Sequence, residues 1–234
     1  MTIKIVIQAR LSSSRLPGKA LLCIEGKTLL ERVIDSALQI NPDKIFLATS
    51  QENEDILLVK VAKTAGLSII KGSLNDVRSR FVSVCQQDPE ALIIRFTADN
   101  PLHSPKLARE LLSRFDNSSD YVCLAYSPEK IIEGTGCEIF RAKYLIHHSN
   151  ANDSDFDKEH VTPILYKHGG SQVNPNIVNN LFSNLSLTID TLMNFVNVLQ
   201  ATQGLWDLPC DQIINTVVNS PERYKFVQYR NHVQ

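Results

Sequence analysis

Residues 6–21 read VIQARLSSSRLPGKAL. The stretch opens in the last part of an apolar, β-branched run (KIVI at residues 4–7), the composition of a strand buried on both faces of a parallel sheet. It then drops into a segment, residues 9–21, that carries Arg10, Arg15, Lys19, three consecutive serines and a Pro17-Gly18 turn signal. In a parallel α/β sheet, the loop after the first strand lies at the carboxyl edge, where anionic ligands are held. The two arginines and the lysine are cationic donors. Ser12, Ser13 and Ser14 add hydroxyls and successive backbone N–H groups able to wrap an anion. The alternative is a solvated loop with scattered charge. Three cations and three serines directly after a buried strand favour an anion site.

Working outward, the spacing predicts a helix over 28–40, with apolar residues at 29, 30, 33, 34, 37 and 38, Thr28 as N-cap and Glu31 three residues on. Residues 44–49 (KIFLAT) read as a strand, 55–65 as a helix stopped by Gly66, 67–70 as a strand and 74–87 as a helix. A strand over 91–96 follows, then a helix over 104–115 with Ser104 as N-cap and Pro105 at its first position, then a strand over 121–124. Strand and helix alternate roughly every 22 residues, as in βαβ units around a parallel sheet. The second half is less regular. Residues 139–140 extend the sheet, 141–149 and 157–168 look helical, 186–189 form a late strand and 191–202 a helix, while 150–157 and 169–180 are polar and loop-like. No linker is evident. The expectation is a single domain over 1–234, an α/β fold with a mainly parallel Rossmann-like sheet flanked by helices, and an insertion or dimerising arm within 125–185.

Composition narrows the function. The 234 residues carry a net charge of −1, which argues against a nucleic-acid partner, so any phosphate chemistry is local. Cys23, Cys85, Cys123, Cys137 and Cys210 are far apart and odd in number, which fits reduced thiols in the cytoplasm and supports neither a zinc ribbon nor a CxxC redox site. Neither a signal-peptide run nor a membrane-spanning run is present, so a soluble protein with no membrane partner is expected. Gly18-Lys19 followed by Ala20 does not make a Walker A loop, and Gly134-Thr135-Gly136 lacks the third glycine of a dinucleotide fingerprint.

Asp99 and Asp190 each follow a predicted strand and so can face the same crevice as the opening loop. A carboxylate pair of this kind suits Mg²⁺, although Asp190 also stands where a helix N-cap would. Glu159 and His160 open the predicted 157–168 helix. His160 reads either as a structural residue or as a hydrogen-bonder or base for an attacking hydroxyl.

Residues 8–21 (QARLSSSRLPGKAL) resemble the N-terminal signature of the cytidylyltransferases that activate sugars, specifically the SpsF-like, spore-coat polysaccharide branch; CMP-sialic acid and CMP-Kdo synthetases are more distant relatives. Further pieces recur in the family's order: FLATS at 46–50, Gly72-Ser73 with Asp76, Val77 and Arg80, RFTADNPL at 95–102, EGTGCEIF at 133–140, EHVTP at 159–163 and LTID at 187–190. The resemblance implies a GT-A-like nucleotidyltransferase fold and a homodimer that takes CTP and a sugar to a CMP-sugar and pyrophosphate. It places Arg10, Arg15 and Lys19 on the leaving pyrophosphate, with Mg²⁺ at Asp99 and Asp190. It assigns the nucleotide to Ala9, Ser12, Ser13, Ser14, Thr49, Ser50, Asp76, Arg80, Thr97 and Ala98. The acceptor falls to Asn100, Glu133, Glu138, Glu159 and His160. Where the family often has Asp-Gly-Leu-Asp-Val-Glu, this chain has Glu133-Gly134-Thr135-Gly136-Cys137-Glu138, which leaves the acceptor sugar open. Asp76 and Arg80 also fit an exposed pair one helical turn apart. Two rival readings stand beside the transferase. One is a nucleotide-sugar glycosyltransferase using the DSD at 153–155 as its metal motif, and the other is a non-catalytic nucleotide-binding module.

Overall fold

In the computed structural model, which describes residues 1–116, 119–124, 131–173 and 185–227, the first half alternates as the sequence predicts. In chain order it contains β1 (Ile3–Gln8), a small hairpin of β2 (Cys23–Ile24) and β3 (Lys27–Thr28), α1 (Leu29–Leu38), β4 (Lys44–Ser50), α2 (Ile56–Thr64) and β5 (Ser68–Gly72). Next come α3 (Val77–Cys85), β6 (Leu92–Thr97), α4 (Pro105–Ser113) and β7 (Tyr121–Leu124). The second half contains β8 (Glu138–Arg141), α5 (Ala142–His148), α6 (Asp155–His160), α7 (Pro163–Lys167), β9 (Ser171–Val173), α8 (Leu192–Thr202), α9 (Cys210–Asn219) and α10 (Pro221–Val227). Of the irregular region 125–185, residues 125–130 and 174–184 lie outside the described residues.

The main sheet has seven strands in the order β5-β4-β1-β6-β8-β7-β9. β5, β4, β1 and β6 run parallel; β8 is antiparallel to both of its neighbours, and β9 is parallel to β7. Strand period sorts the core. Ile5 and Ile7 of β1 point to one face, where they pack with α1, α2 and α4 through Leu30, Val33, Leu58, Ala62, Ala108 and Leu111. Val6 points to the other face and joins Val77, Phe81, Val84, Leu145 and Leu165 from α3, α5 and α7. Both faces are therefore covered, which is why the central strands read as continuous apolar runs. A third cluster lies beside the sheet, where α8, α9 and α10 enclose Leu187, Ile189, Val198, Trp206, Ile213 and Val217. No described helix is long and apolar enough to cross a membrane.

Three local features differ from the sequence reading. The single helix expected over 157–168 is two helices. Between them Val161 sits at φ +69, ψ −57, and Thr162 N–H donates to the His160 carbonyl at 2.8 Å, a γ-turn that Pro163 prevents from continuing as helix. Glu159 and His160 therefore close a helix and do not open one. Among the described residues, the late strand over 186–189 is reduced to bridge pairing, Glu133 with Ser186. β8 inserts between β6 and β7, so the strand over 121–124 does not lie beside β6 as consecutive βαβ units would place it.

The capping box of α1 forms as predicted. Glu31 N–H donates to Thr28 Oγ1 at 3.2 Å, and Thr28 N–H donates to Glu31 Oε2 at 2.7 Å. Thr28→Ala should cost about 1 kcal/mol and lower Tm by roughly 2–4 °C in thermal unfolding; an unchanged Tm would show that α1 gains nothing from its cap.

Candidate active site

The sheet order reverses direction at β1. The chain leaves β1 toward β4 on one side and later places β6 on the other, which makes a switch point whose crevice opens at the carboxyl ends. The opening loop leaves one lip and residues 98–104 leave the other. Ala98 N–H donates to the Gln8 carbonyl at 3.0 Å, so the two lips start side by side. The loop closes on Leu11, whose carbonyl accepts the N–H of Ser13 at 2.9 Å and of Gly18 at 2.8 Å. Gly18 turns at φ +74, a conformation suited to glycine, and delivers Lys19 into the crevice on a short 3₁₀ turn.

A cavity of about 400 Å³ fills the crevice. Ala9, Arg10, Ser13, Ser14, Arg15 and Lys19 line it from the loop, with Thr97, Ala98, Asp99 and Asn100 opposite. Arg80, Glu133, Glu159, His160 and Asp190 complete the expected residues that reach it. Its charge centre is Lys19, whose Nζ lies 2.7 Å from Asp99 Oδ2 and 2.9 Å from Asp190 Oδ1. Arg15 Nη2 reaches the other oxygen, Asp190 Oδ2, at 2.9 Å. The two acids are registered through the main chain, since Ile189 N–H donates to the Asp99 carbonyl at 2.9 Å. Burial opposes the charge of Asp99, yet the Lys19 charge and hydrogen bonds from Lys19 and Thr97 hold its carboxyl below the usual range. The N-cap alternative for Asp190 is settled, because Thr191 and Asn194 form the capping box of α8 and leave the Asp190 carboxylate to the cations.

The remaining cations line one wall. Arg10 Nη2 pairs with Glu159 Oε1 at 2.9 Å and Nη1 donates to the Leu74 carbonyl at 3.1 Å. Arg80 is buried and forks onto the Ser73 and Leu74 carbonyls, so it is no exposed partner of Asp76. Burial, reinforced by the neighbouring Arg10 charge, lowers Arg80 to about 10.

Five expected residues stand outside the cavity lining. Ser12 is exposed and does not line the cavity. Thr49 and Ser50 are fully buried at the end of β4 and donate to the Asp55 carboxylate. Asp76 caps α3 by accepting from Ser79 N–H at 2.9 Å. Glu138 is buried in the sheet, accepting from Arg95 at 2.6 Å, Tyr121 Oη at 2.7 Å and Thr162 Oγ1 at 2.8 Å. The DSD segment is equally committed, since Asp153 pairs with buried Arg78 at 2.6 Å and accepts the Asn150 N–H.

Sequence reasoning missed Gln8, Arg95, Gly134 and Thr188 in the lining. Gly134 has a clear reason for its identity: at φ +88, a Cβ would lie 2.7 Å from Thr188 Oγ1 and 2.9 Å from Thr188 N. It also missed His103, which stacks on Phe96 and bonds both sides of the crevice floor. Thr97 N–H can only donate, so Nε2 accepts it at 3.0 Å, and Nδ1 then carries the proton that it donates to the Gly136 carbonyl at 2.7 Å.

A family model described as cytidylyltransferase matches residues 4–198. The chain is 29% identical over 230 residues to an uncharacterised protein of Methanocaldococcus jannaschii, across 93% of this chain and 90% of that one. It is 35% identical over 173 residues to the spore coat polysaccharide biosynthesis protein SpsF of Bacillus subtilis, across 71% of this chain and 70% of that one. A solved cytidylyltransferase structure from Leptospira borgpetersenii matches with a TM-score of 0.82 at 23% identity over 100% of both chains, a likeness of fold.

Burial lowers His103 from 6.5 to about 4. Between those values the unfolded chain binds a proton that the folded chain refuses, so stability falls as pH drops through that window. Urea unfolding at pH 7 and 5, with ¹⁵N NMR of the histidines, should show lower stability at pH 5 and a His103 ring still neutral with its proton on Nδ1. A His103 that protonates near 6.5 would contradict this environment.

Proposed function

Because the chain belongs to the cytidylyltransferase family, whose members are CTP-utilising nucleotidyltransferases, we propose that it joins CMP from CTP to a sugar and releases pyrophosphate. The observation that carries the reading is the convergence of Arg15, Lys19, Asp99 and Asp190 at the switch point, with Lys19 Nζ within 2.9 Å of both carboxylates. A sugar acceptor destined for a surface polysaccharide is supported by the name of the Bacillus subtilis relative.

In this reading a sugar hydroxyl attacks the α-phosphorus in line, the new P–O bond forms, the bond from the α-phosphorus to the oxygen bridging the β-phosphate breaks, and the hydroxyl proton passes to water. Such transfers depend on positioning and on preorganised charge more than on covalent chemistry by the protein. Lys19 and Arg15 draw off negative charge from the leaving pyrophosphate, and the Ser14 N–H with the hydroxyls of Ser13 and Ser14 cradles it. Arg10 holds the outer phosphates once Glu159 releases it. Glu133, Asn100, Glu159 and His160 border the part of the cavity left for the acceptor.

The donor set fits Mg²⁺. Oxygens of Asp99 and Asp190 converge on the Lys19 ammonium and so on one cation-sized point, which Mg²⁺ would take when Lys19 moves onto the phosphates. No group of three metal-ligating side chains occurs among the described residues, in keeping with an ion held by two carboxylates, substrate phosphates and water. Bound there, Mg²⁺ would supply Lewis-acid polarisation at the α-phosphate.

Pyrophosphate release should be measured with Mg²⁺, each of the four NTPs and a pool of nonulosonic acids, Kdo-like acids, amino-deoxy sugars and sugar phosphates. The expected result is release that requires CTP and one acceptor, falling on the order of 100-fold or more in Lys19→Ala when assayed below the Tm of the variant, which drops because Asp99 and Asp190 lose their shared cation. Turnover unchanged in Lys19→Ala, or release indifferent to the base, would overturn the proposal.

A further inference from the structure

Asp55 is 1% exposed, and no ion pair to it is found among the described residues. It is the last residue of a short 3₁₀ turn, Asn53–Asp55, that runs into α2, and its own backbone is helical at φ −66, ψ −5. The side chain makes no cap hydrogen bond. Oδ2 accepts Ser50 N–H at 3.1 Å and the hydroxyls of Thr49 and Ser50, which fixes the carboxylate against the end of β4. Oδ1 reaches across 44 positions of sequence to accept Leu11 N–H at 2.8 Å.

That bond falls at the point where the opening loop both leaves and rejoins the sheet. Leu11 packs in the core, its carbonyl closes the loop through Ser13 and Gly18, and Gly18 immediately precedes Lys19. We propose that Asp55 is a positioning residue for the anion-holding loop: buried outside the cavity, it holds the Leu11 peptide and thereby sets where Ser13, Arg15 and Lys19 present their donors. A buried carboxylate committed on both oxygens to main-chain N–H groups, one of them in a distant loop, is the support that a precisely placed loop requires. The role of the loop in holding nucleotide rests on the function proposed above; the anchoring of the loop by Asp55 does not.

The substitution Asp55→Asn discriminates well. Both carboxylate oxygens face a main-chain N–H, Leu11 on one side and Ser50 on the other, and neither N–H can turn into an acceptor. An amide has a single acceptor oxygen, so in either orientation one N–H group meets another. Amide hydrogen exchange across the chain and calorimetric titration with CTP and Mg²⁺ should be compared for wild type, Asp55→Asn and Thr28→Ala. Thr28→Ala serves as a variant weakened elsewhere. The expected result for Asp55→Asn is exchange at Leu11, Ser13 and Gly18 at least ten times faster than in wild type, protection in β1 and β6 kept, and a CTP Kd raised at least tenfold. Thr28→Ala should leave both readouts unmoved. Wild-type exchange at Leu11 and Gly18 in Asp55→Asn would overturn the proposal, as would a gain in exchange spread evenly over the chain. Faster loop exchange in a protein whose wild type binds no CTP would support the anchoring and overturn the nucleotide reading of the loop.

Discussion

A single ammonium ties together three segments far apart in sequence. Lys19 from the opening loop lies between Asp99 after β6 and Asp190 before α8, and Arg15 completes the charge balance on Asp190. Without the cations, two partly buried carboxylates would face each other across the crevice, an arrangement that raises the cost of ionising either one. The main-chain bond from Ile189 to Asp99 and the closure of the loop on Leu11 both serve that one cluster. The near-zero net charge of the molecule is no obstacle to phosphate chemistry, because the field that matters is assembled within a few ångströms at the end of the sheet.

Around this cluster, buried polar residues set the walls. His103, kept neutral by burial, spans Thr97 and Gly136 and so holds the β6 lip against the Glu133–Gly134 turn. Glu138 gathers Arg95, Tyr121 and Thr162, which ties the γ-turn after Glu159 and His160 to the sheet; burial, and then the Glu138 charge, push the Tyr121 phenol up. Val161 is a buried β-branched residue at positive φ, a conformation that persists only where the surroundings over-determine it. Here Pro163, the Thr162 bond to Glu138 and the packing of α6 on α3 do so.

Much of the fold was legible because local signals and burial agree. The KIVI run lies within an observed strand, and the capping box at Thr28 and Glu31, Ser104 with Pro105, and the stop at Gly66 each correspond to an observed helix end. What was not legible depends on partners distant in the chain. Nothing near Thr49 and Ser50 says that their hydroxyls turn to Asp55, or that Asp55 reaches Leu11. Glu138 carries a carboxylate in a segment that faces the cavity at Glu133 and Gly134, but strand alternation turns it into the sheet toward Arg95. The bridge in place of a late strand comes from pairing that no short window encodes, whereas the break at Val161 had a local signal in Pro163, which the single-helix reading over 157–168 passed over. In the cavity, the opening-loop cations and the acids after two strand-like runs were legible because charge beside a buried strand is conspicuous. Gly134 and His103 were not, since their importance lies in close approach and in shape.

The most direct test of the account is a crystal structure of the protein with CTP. The account predicts the triphosphate within hydrogen-bonding distance of Ser13, Ser14, Arg15 and Lys19, its α-phosphate beside Asp99 and Asp190. A nucleotide seated away from the switch point, with Lys19 still held between the two aspartates, would contradict it.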